Sequence, residues 1–195
     1  MQNGKKINSI CYKVVMLGDS GVGKTTIVFR LNENCFNSNI MPTVGSGVYS
    51  KSFDTDTNPV TLSIWDTAGE EKYRSFTSLY SQGAAAAIVV FDISDKYTYS
   101  SIPSWIEAFK AISPQSFVFI IGNKLDLENK REVEYENALE WCNINGYRYA
   151  ETSAITGENI EPVFRDIVNS LIQSNCIPIN YRPVAQQTNK NSCAC

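Results

Sequence analysis

Short apolar runs rich in β-branched residues recur along this chain, and between them apolar side chains return every three or four positions. The runs 12–17, 48–54, 60–66, 86–92, 117–123 and 147–151 read as strands, several of them apolar at consecutive positions, so that both faces need cover as in a buried parallel sheet. The clearest helix lies near the end. There Ile160, Val163, Phe164, Ile167, Val168, Leu171 and Ile172 share one face, and Pro162 falls in the first turn, where its missing N–H is tolerated. Strands alternating with helices predict an α/β domain, a doubly wound and mostly parallel six-stranded sheet with helices on both faces. Ligands of such sheets bind beyond the carboxyl ends of the strands. The pattern stops after Gln173, where Asn, Gln, Pro and Ser take over without an acidic residue. The expected organisation is therefore a short extension over 1–10, a folded domain over 11–173 and a flexible tail over 174–195.

With 195 residues, 43% of them hydrophobic, one core suffices without disulfide or metal staples. The formal net charge of −3 lacks the basic excess that nucleic-acid binding requires. Histidine is absent, which removes His-based triads, His general bases and His metal ligands. The six cysteines form no C-x-x-C pair, so reduced thiols and a cytoplasmic location are expected. The longest purely apolar run, Ala84 to Phe91, is too short to span a bilayer.

The strongest chemical signal is Gly18-Asp19-Ser20-Gly21-Val22-Gly23-Lys24-Thr25, which fits G-x-x-x-x-G-K-S/T between a strand and a helix. The glycines let backbone N–H groups wrap a phosphate chain at a helix N-terminus, Lys24 neutralises the β- and γ-phosphates, and Thr25 offers a hydroxyl to Mg²⁺. That loop serves ATPases, kinases and GTPases alike. Asp66-Thr67-Ala68-Gly69 ends the third strand, which lets Asp66 act on Mg²⁺ and the Gly69 amide on a γ-phosphate. Asn123-Lys124-Leu125-Asp126 follows the fifth, and an aspartate there accepts from both the N1–H and the N2 amine of guanine. Adenine offers no such pair of donors, and the mismatch would leave a carboxylate unpaired.

With these strings in this order the chain resembles the Ras superfamily of small GTPases, and within it the Rab branch. The resemblance runs from about residue 12 to 172 and includes Ile64-Trp65-Asp66-Thr67-Ala68-Gly69, Tyr73-Arg74-Ser75, Gly83-Ala84, Phe91-Asp92-Ile93-Ser94 and Glu151-Thr152-Ser153-Ala154. It implies a P-loop GTPase fold that binds and hydrolyses GTP with Mg²⁺ and switches a trafficking step on an endomembrane, endosomal membranes among them. The nucleotide-binding set it implies is Asp19, Ser20, Gly21, Val22, Gly23, Lys24, Thr25, Thr26, Phe36, Thr43, Gly69, Asn123, Lys124, Asp126, Ser153, Ala154 and Ile155. Within that set Phe36 would stack on guanine, the Ala154 amide would bind the base carbonyl, and Thr43 would close over Mg²⁺ and the γ-phosphate. Thr25, Thr43 and Asp66 become the metal ligands, and Glu70, Thr43, Gly69 and Lys24 the catalytic group. Segments near 36–45 and 66–80 become two switches that GTP orders and hydrolysis releases. Effectors, an exchange factor, an activating protein and prenyl-delivery proteins are the implied partners of a monomer.

Four positions depart from the family pattern. Glu70 stands where relatives have Gln; a carboxylate can only accept, whereas Gln also donates to the transferring phosphoryl group. A module that holds GTP with little turnover is therefore the alternative to an active hydrolase. Ile155 replaces a Lys whose stem covers the guanine, Val48 replaces one aromatic of a partner-binding triad completed by Trp65 and Tyr80, and Gln82 replaces an Arg. At the C-terminus Ser192 breaks the C-a-a-X rule, but Cys193 and Cys195 resemble the double geranylgeranylation signal of Rab proteins. Two lipids give stable anchoring where one is marginal.

Overall fold

The computed structural model describes residues 10–36, 41, 43, 45–56, 58–69, 77–174, 176, 178 and 179. Glu70, Cys193 and Cys195 lie outside the described residues, as do the strings at 73–75 and most of the expected tail. In chain order the elements are β1 (Ile10–Leu17), α1 (Lys24–Glu33), β2 (Ser46–Phe53), β3 (Val60–Thr67), α2 (Thr77–Ser81) and β4 (Ala86–Asp92). Then come α3 (Lys96–Ser100), α4 (Ile102–Lys110), β5 (Phe117–Asn123), a 3-10 turn (Leu125–Lys130), α5 (Tyr135–Ile144), β6 (Arg148–Thr152) and α6 (Ile160–Gln173). The six strands form one sheet in the order β2-β3-β1-β4-β5-β6. Only β2 runs antiparallel to its neighbour; β3, β1, β4, β5 and β6 are parallel.

Alternation along β1 shows how the two layers of helices arise. Tyr12, Val14 and Met16 turn to one face and join Ile27, Val28 and Leu31 of α1 with Phe164, Ile167, Val168 and Leu171 of α6. Val15 and Leu17 turn to the other and join Ile102, Trp105 and Phe109 of α4 with Ala138 and Cys142 of α5. Every residue of β4 is buried, as a central parallel strand between two helical layers requires. In α6 Pro162 occupies the first turn, where its missing N–H is tolerated.

Strand β1 begins two residues before the apolar run, because Ile10 donates to Pro59 O at 3.2 Å and pairs with Val60. The segment after α6 also holds to the domain at first: Cys176 packs on the α1/α6 cluster, and Ile179 N donates to Cys11 O at 2.8 Å. No helix among the described residues is long and apolar enough to cross a membrane.

Candidate functional site at the carboxyl edge of the sheet

The loops that leave β1, β3, β5 and β6 converge at one edge of the sheet. After β1 the chain turns through Gly18–Gly23 into α1, with Gly23 at φ 97°, a left-handed conformation that glycine adopts freely. A Cβ at Gly23 would also overlap the Asn123 side-chain amide. Val22 is fully buried, so its side chain is turned into the core and only its backbone is left for the loop. Lys24 is 5% exposed, and its ammonium donates to Gly18 O and Asp19 O, both at 2.7 Å. Burial lowers the Lys24 pKa to about 8, against the opposing pull of Asp66 and Asp19. Gly69 passes close by, and a Cβ there would overlap the Asp19 carbonyl and the Lys24 ammonium.

Three oxygen-bearing side chains meet beside Lys24. Asp66, 1% exposed at the end of β3, accepts from Thr25 Oγ1 at 2.6 Å and from Thr43 Oγ1 at 3.4 Å through Oδ2. The two threonine hydroxyls are 2.7 Å apart. Burial raises the Asp66 carboxyl, opposed by Thr25, Lys24 and Thr43. Its other oxygen, Oδ1, is buried and has no hydrogen-bond partner among the described residues. A buried acceptor left open is costly unless a ligand completes it. Two hydroxyls and a carboxylate are hard oxygen donors, the type that suits Mg²⁺, so these residues fit that ion. Ser20, Gly21, Thr26 and Met41 complete the walls of this cleft of about 260 Å³.

The second half of the site is already joined to itself. Asn123, 2% exposed, donates to Val22 O at 2.8 Å and accepts from Thr152 Oγ1 at 3.2 Å and Ala154 N at 3.3 Å. Its side chain therefore ties the phosphate loop, β6 and the 153–155 turn together; the described contacts make it a brace. Lys124 takes a left-handed backbone at φ 69° and sends its ammonium 2.6 Å from Asp92 Oδ2. Burial alone would raise Asp92, but Lys124 and Ser94 hold its carboxyl below the ordinary aspartate value. Asp126 Oδ1 accepts from Ser153 Oγ at 2.5 Å. Ala154 is 4% exposed, with its amide directed at Asn123, whereas Phe36 and Ile155 both stand exposed at the rim.

Sequence reasoning missed several supports of this half. Arg30 of α1 donates from Nε to Ala154 O at 2.9 Å and from Nη2 to Ile155 O. Arg131 forks onto Glu151, with N–O distances of 2.8 and 2.6 Å, and Tyr149 donates to the same carboxylate at 2.6 Å. Glu151 is 6% exposed, so its charge is compensated inside the protein, just ahead of Ser153. The side chain of Asp19, placed among the nucleotide ligands by sequence, faces α4, and its backbone oxygen faces Lys24. On the neighbouring surface Val48 pairs with Trp65 in register, Trp65 lies 6.4 Å from Tyr80, and Lys13 Nζ sits 4.0 Å over the Trp65 ring.

A lysine-bearing glycine loop between a strand and a helix, and an oxygen cluster beside it, on a doubly wound sheet define a P-loop nucleotide-binding protein. Comparison with known proteins narrows the class. The Ras family model matches residues 13–173. The chain is 38% identical over 161 residues to Ras-related protein Rab11A of Lotus japonicus, covering 82% of this chain and 71% of that protein. The chain belongs to the Ras family; it is a Rab-branch small GTPase that binds guanine nucleotide and switches with it.

Proposed function

We propose that the folded unit is residues 11–173, between an extension over 1–10 and a lipid-bearing tail, and that it hydrolyses GTP to control a membrane-trafficking step. The observation that carries this reading is that Lys24, Thr25 and Thr43 line one cleft, with both threonine hydroxyls bonded to the buried Asp66, whose second oxygen has no partner among the described residues. Lys24, now satisfied by two loop carbonyls, exchanges them for β- and γ-phosphate oxygens. Thr25, Thr43 and Asp66 hold Mg²⁺, which when bound neutralises charge shared between the phosphates. The Gly69 amide donates to the γ-phosphate and Glu70 accepts a proton from the attacking water. At the base, Asp126 takes the N1–H and N2 donors, Ala154 N reaches the carbonyl, and Phe36 and Ile155 cover the ring faces.

The sequence feature Glu70 favours a second reading, a GTP-holding module with little turnover, because a carboxylate in place of Gln adds a negative charge to the chemistry and cannot donate to the transferring phosphoryl group. Phosphate release separates the two: phosphate above a protein-free control, whether steady or as one burst followed by slow turnover, supports the hydrolase, and GTP retained intact with no phosphate above that control supports the holding module. Cys193 and Cys195 carry two prenyl groups that let the monomer cycle between cytosol and the cytosolic face of an endomembrane, an endosomal one by family resemblance, where effectors read the GTP form. Removing 193–195 should shift the protein to the soluble fraction of a prenylating host with GDP affinity unchanged.

A further inference from the structure

Arg30 stands in the last turn of α1, where a cation suits the negative end of the helix dipole. All of its hydrogen-bond acceptors among the described residues are backbone carbonyls. Nε donates to Ala154 O at 2.9 Å and Nη2 donates to Ile155 O, so the planar fork holds two consecutive peptide units of the 153–157 turn. Nη1 donates at 3.2 Å to the carbonyl of Asn34, the C-cap residue of the same helix. Gly157 passes over the arginine stem with φ 87°, and a Cβ there would stand 3.6 Å from Arg30 Cδ. From the other side Asn123 Oδ1 accepts from Ala154 N at 3.3 Å, so Ala154 is held through both its amide and its carbonyl. The first turn of the same helix carries Lys24 and Thr25. Arg30 follows Lys24 by a rise of about 9 Å at 1.5 Å per residue, so one stiff rod connects the phosphate loop to the turn proposed to meet the base.

We propose that Arg30 is a positioning residue for guanine: it pins the 153–157 turn to α1 and so sets how strictly the site demands an oxygen at the 6-position of the base. The inference rests on the nucleotide-binding reading above, with Ala154 N reaching the base carbonyl, and adds a residue outside the motifs assigned to that site. With the phosphates fixed at one end of α1, the fork at the other end places the Ala154 amide at a set distance from them. That donor then meets a carbonyl oxygen at hydrogen-bond length, whereas a larger and weaker acceptor such as sulfur fits poorly. The turn stays formed without the fork, since Ser153 O accepts from Gly157 N at 2.8 Å and Ser153 N donates to Glu158 O at 3.1 Å. What relaxes is its distance from α1, and the 6-position is read less sharply. Asp126 belongs to the 3-10 turn after β5, which receives no hydrogen bond from Arg30, so recognition of the N1–H and N2 donors is retained.

Base selectivity separates this role from simple stabilisation. Arg30→Met keeps an unbranched stem and removes the fork, and Arg30→Lys keeps the charge on a compact head that cannot fork. The full-length protein is loaded with fluorescent N-methylanthraniloyl-GDP and Mg²⁺, and the label is displaced by GDP, by 6-thio-GDP, in which sulfur replaces the 6-oxygen, or by IDP, which lacks the N2 amine. In Arg30→Met the preference for GDP over 6-thio-GDP should narrow about tenfold, the scale of one charge-assisted hydrogen bond. The preference for GDP over IDP should stay within about 1.5-fold of the parent, because that contrast is read by Asp126. Arg30→Lys should narrow the first preference about threefold and leave the second alone, and it decides the matter by itself if Arg30→Met fails to fold. Equal narrowing for both analogues means that the whole site has loosened and overturns the proposal. A lower thermal midpoint with both preferences at their parent values makes Arg30 a stability residue and overturns it as well. A parent that binds GDP and 6-thio-GDP equally removes the base carbonyl from Ala154, and the proposal with it, while nucleotide binding stands. A parent that takes up no labelled GDP overturns the nucleotide reading itself.

Discussion

The two ends of the site are prepared in opposite ways. At the phosphate end, groups are left open or borrowed: Asp66 Oδ1 has no partner among the described residues, and Lys24 is held by two backbone carbonyls. At the end proposed to hold the base, Asn123, Lys124, Asp126, Ser153 and Ala154 are already bound to one another or to Val22, Asp92 and Thr152. The contrast follows from what each end must hold. Triphosphate and Mg²⁺ bring charge that can complete a buried polar atom such as Asp66 Oδ1. Guanine is flat and neutral and is recognised by the placement of a few donors and acceptors, so that end must be rigid before the ligand arrives.

Changes at the rigid end should alter which nucleotide binds, and changes at the open end how tightly any nucleotide binds. The largest effect is expected for Asp126→Asn, whose amide can donate to the extra carbonyl of xanthine. The ratio of GTP to XTP affinity should fall by roughly 10⁴-fold, as when a site's paired polar groups are mismatched. Competition titrations with both nucleotides check this, and an unchanged ratio would place the base elsewhere. Lys24→Ala or Thr25→Asn should weaken GTP roughly 10- to 100-fold by removing a charged contact or disturbing the oxygen cluster, with guanine preference intact. Lys110→Ala, far from the cleft, is the control.

Local strings carried the chemistry that the sequence made legible. Gly18–Thr25, Asp66–Gly69 and Asn123–Asp126 each suggest a role within a few residues, and the structure brings all three to one edge of the sheet, where those roles are proposed. The supports could not be seen this way. Arg30 reaches Ala154 across 124 positions, and Trp105 reaches Asp19 across 86, contacts made by strand order alone. Asn123 illustrates the same limit, since its motif marks the base site while its amide and carbonyl serve as a brace. Strand edges shifted by one or two residues, as at Ile10 and at β6, because pairing with a neighbour, not hydropathy, sets where a strand begins.

Two smaller changes sharpen the comparison. Glu70→Gln should raise hydrolysis assisted by an activating protein about tenfold, roughly 1.4 kcal/mol of barrier, by restoring a donor and removing a negative charge. Single-turnover hydrolysis with a matched activator reads this, and a level or lower rate would refute the charge argument. Ile155→Lys should slow GDP release by about threefold, because a longer stem at this exposed position would cover more of a bound base. Stopped-flow release of labelled GDP measures it; faster release would mean that the aliphatic side chain already fits better.

The central claim is that an end lined by Lys24, Thr25, Thr43 and Asp66 and a pre-joined, guanine-reading end form one site. Calorimetric titration of the nucleotide-free protein with GDP and with ADP, each in the presence and absence of Mg²⁺, tests it most directly. The account predicts that GDP binds at least about 1,000-fold more tightly than ADP, the scale of discrimination available to a site of fixed polar groups. It also predicts that Mg²⁺ strengthens GDP binding and that this gain disappears in Thr25→Asn. Equal affinities for GDP and ADP would contradict the account.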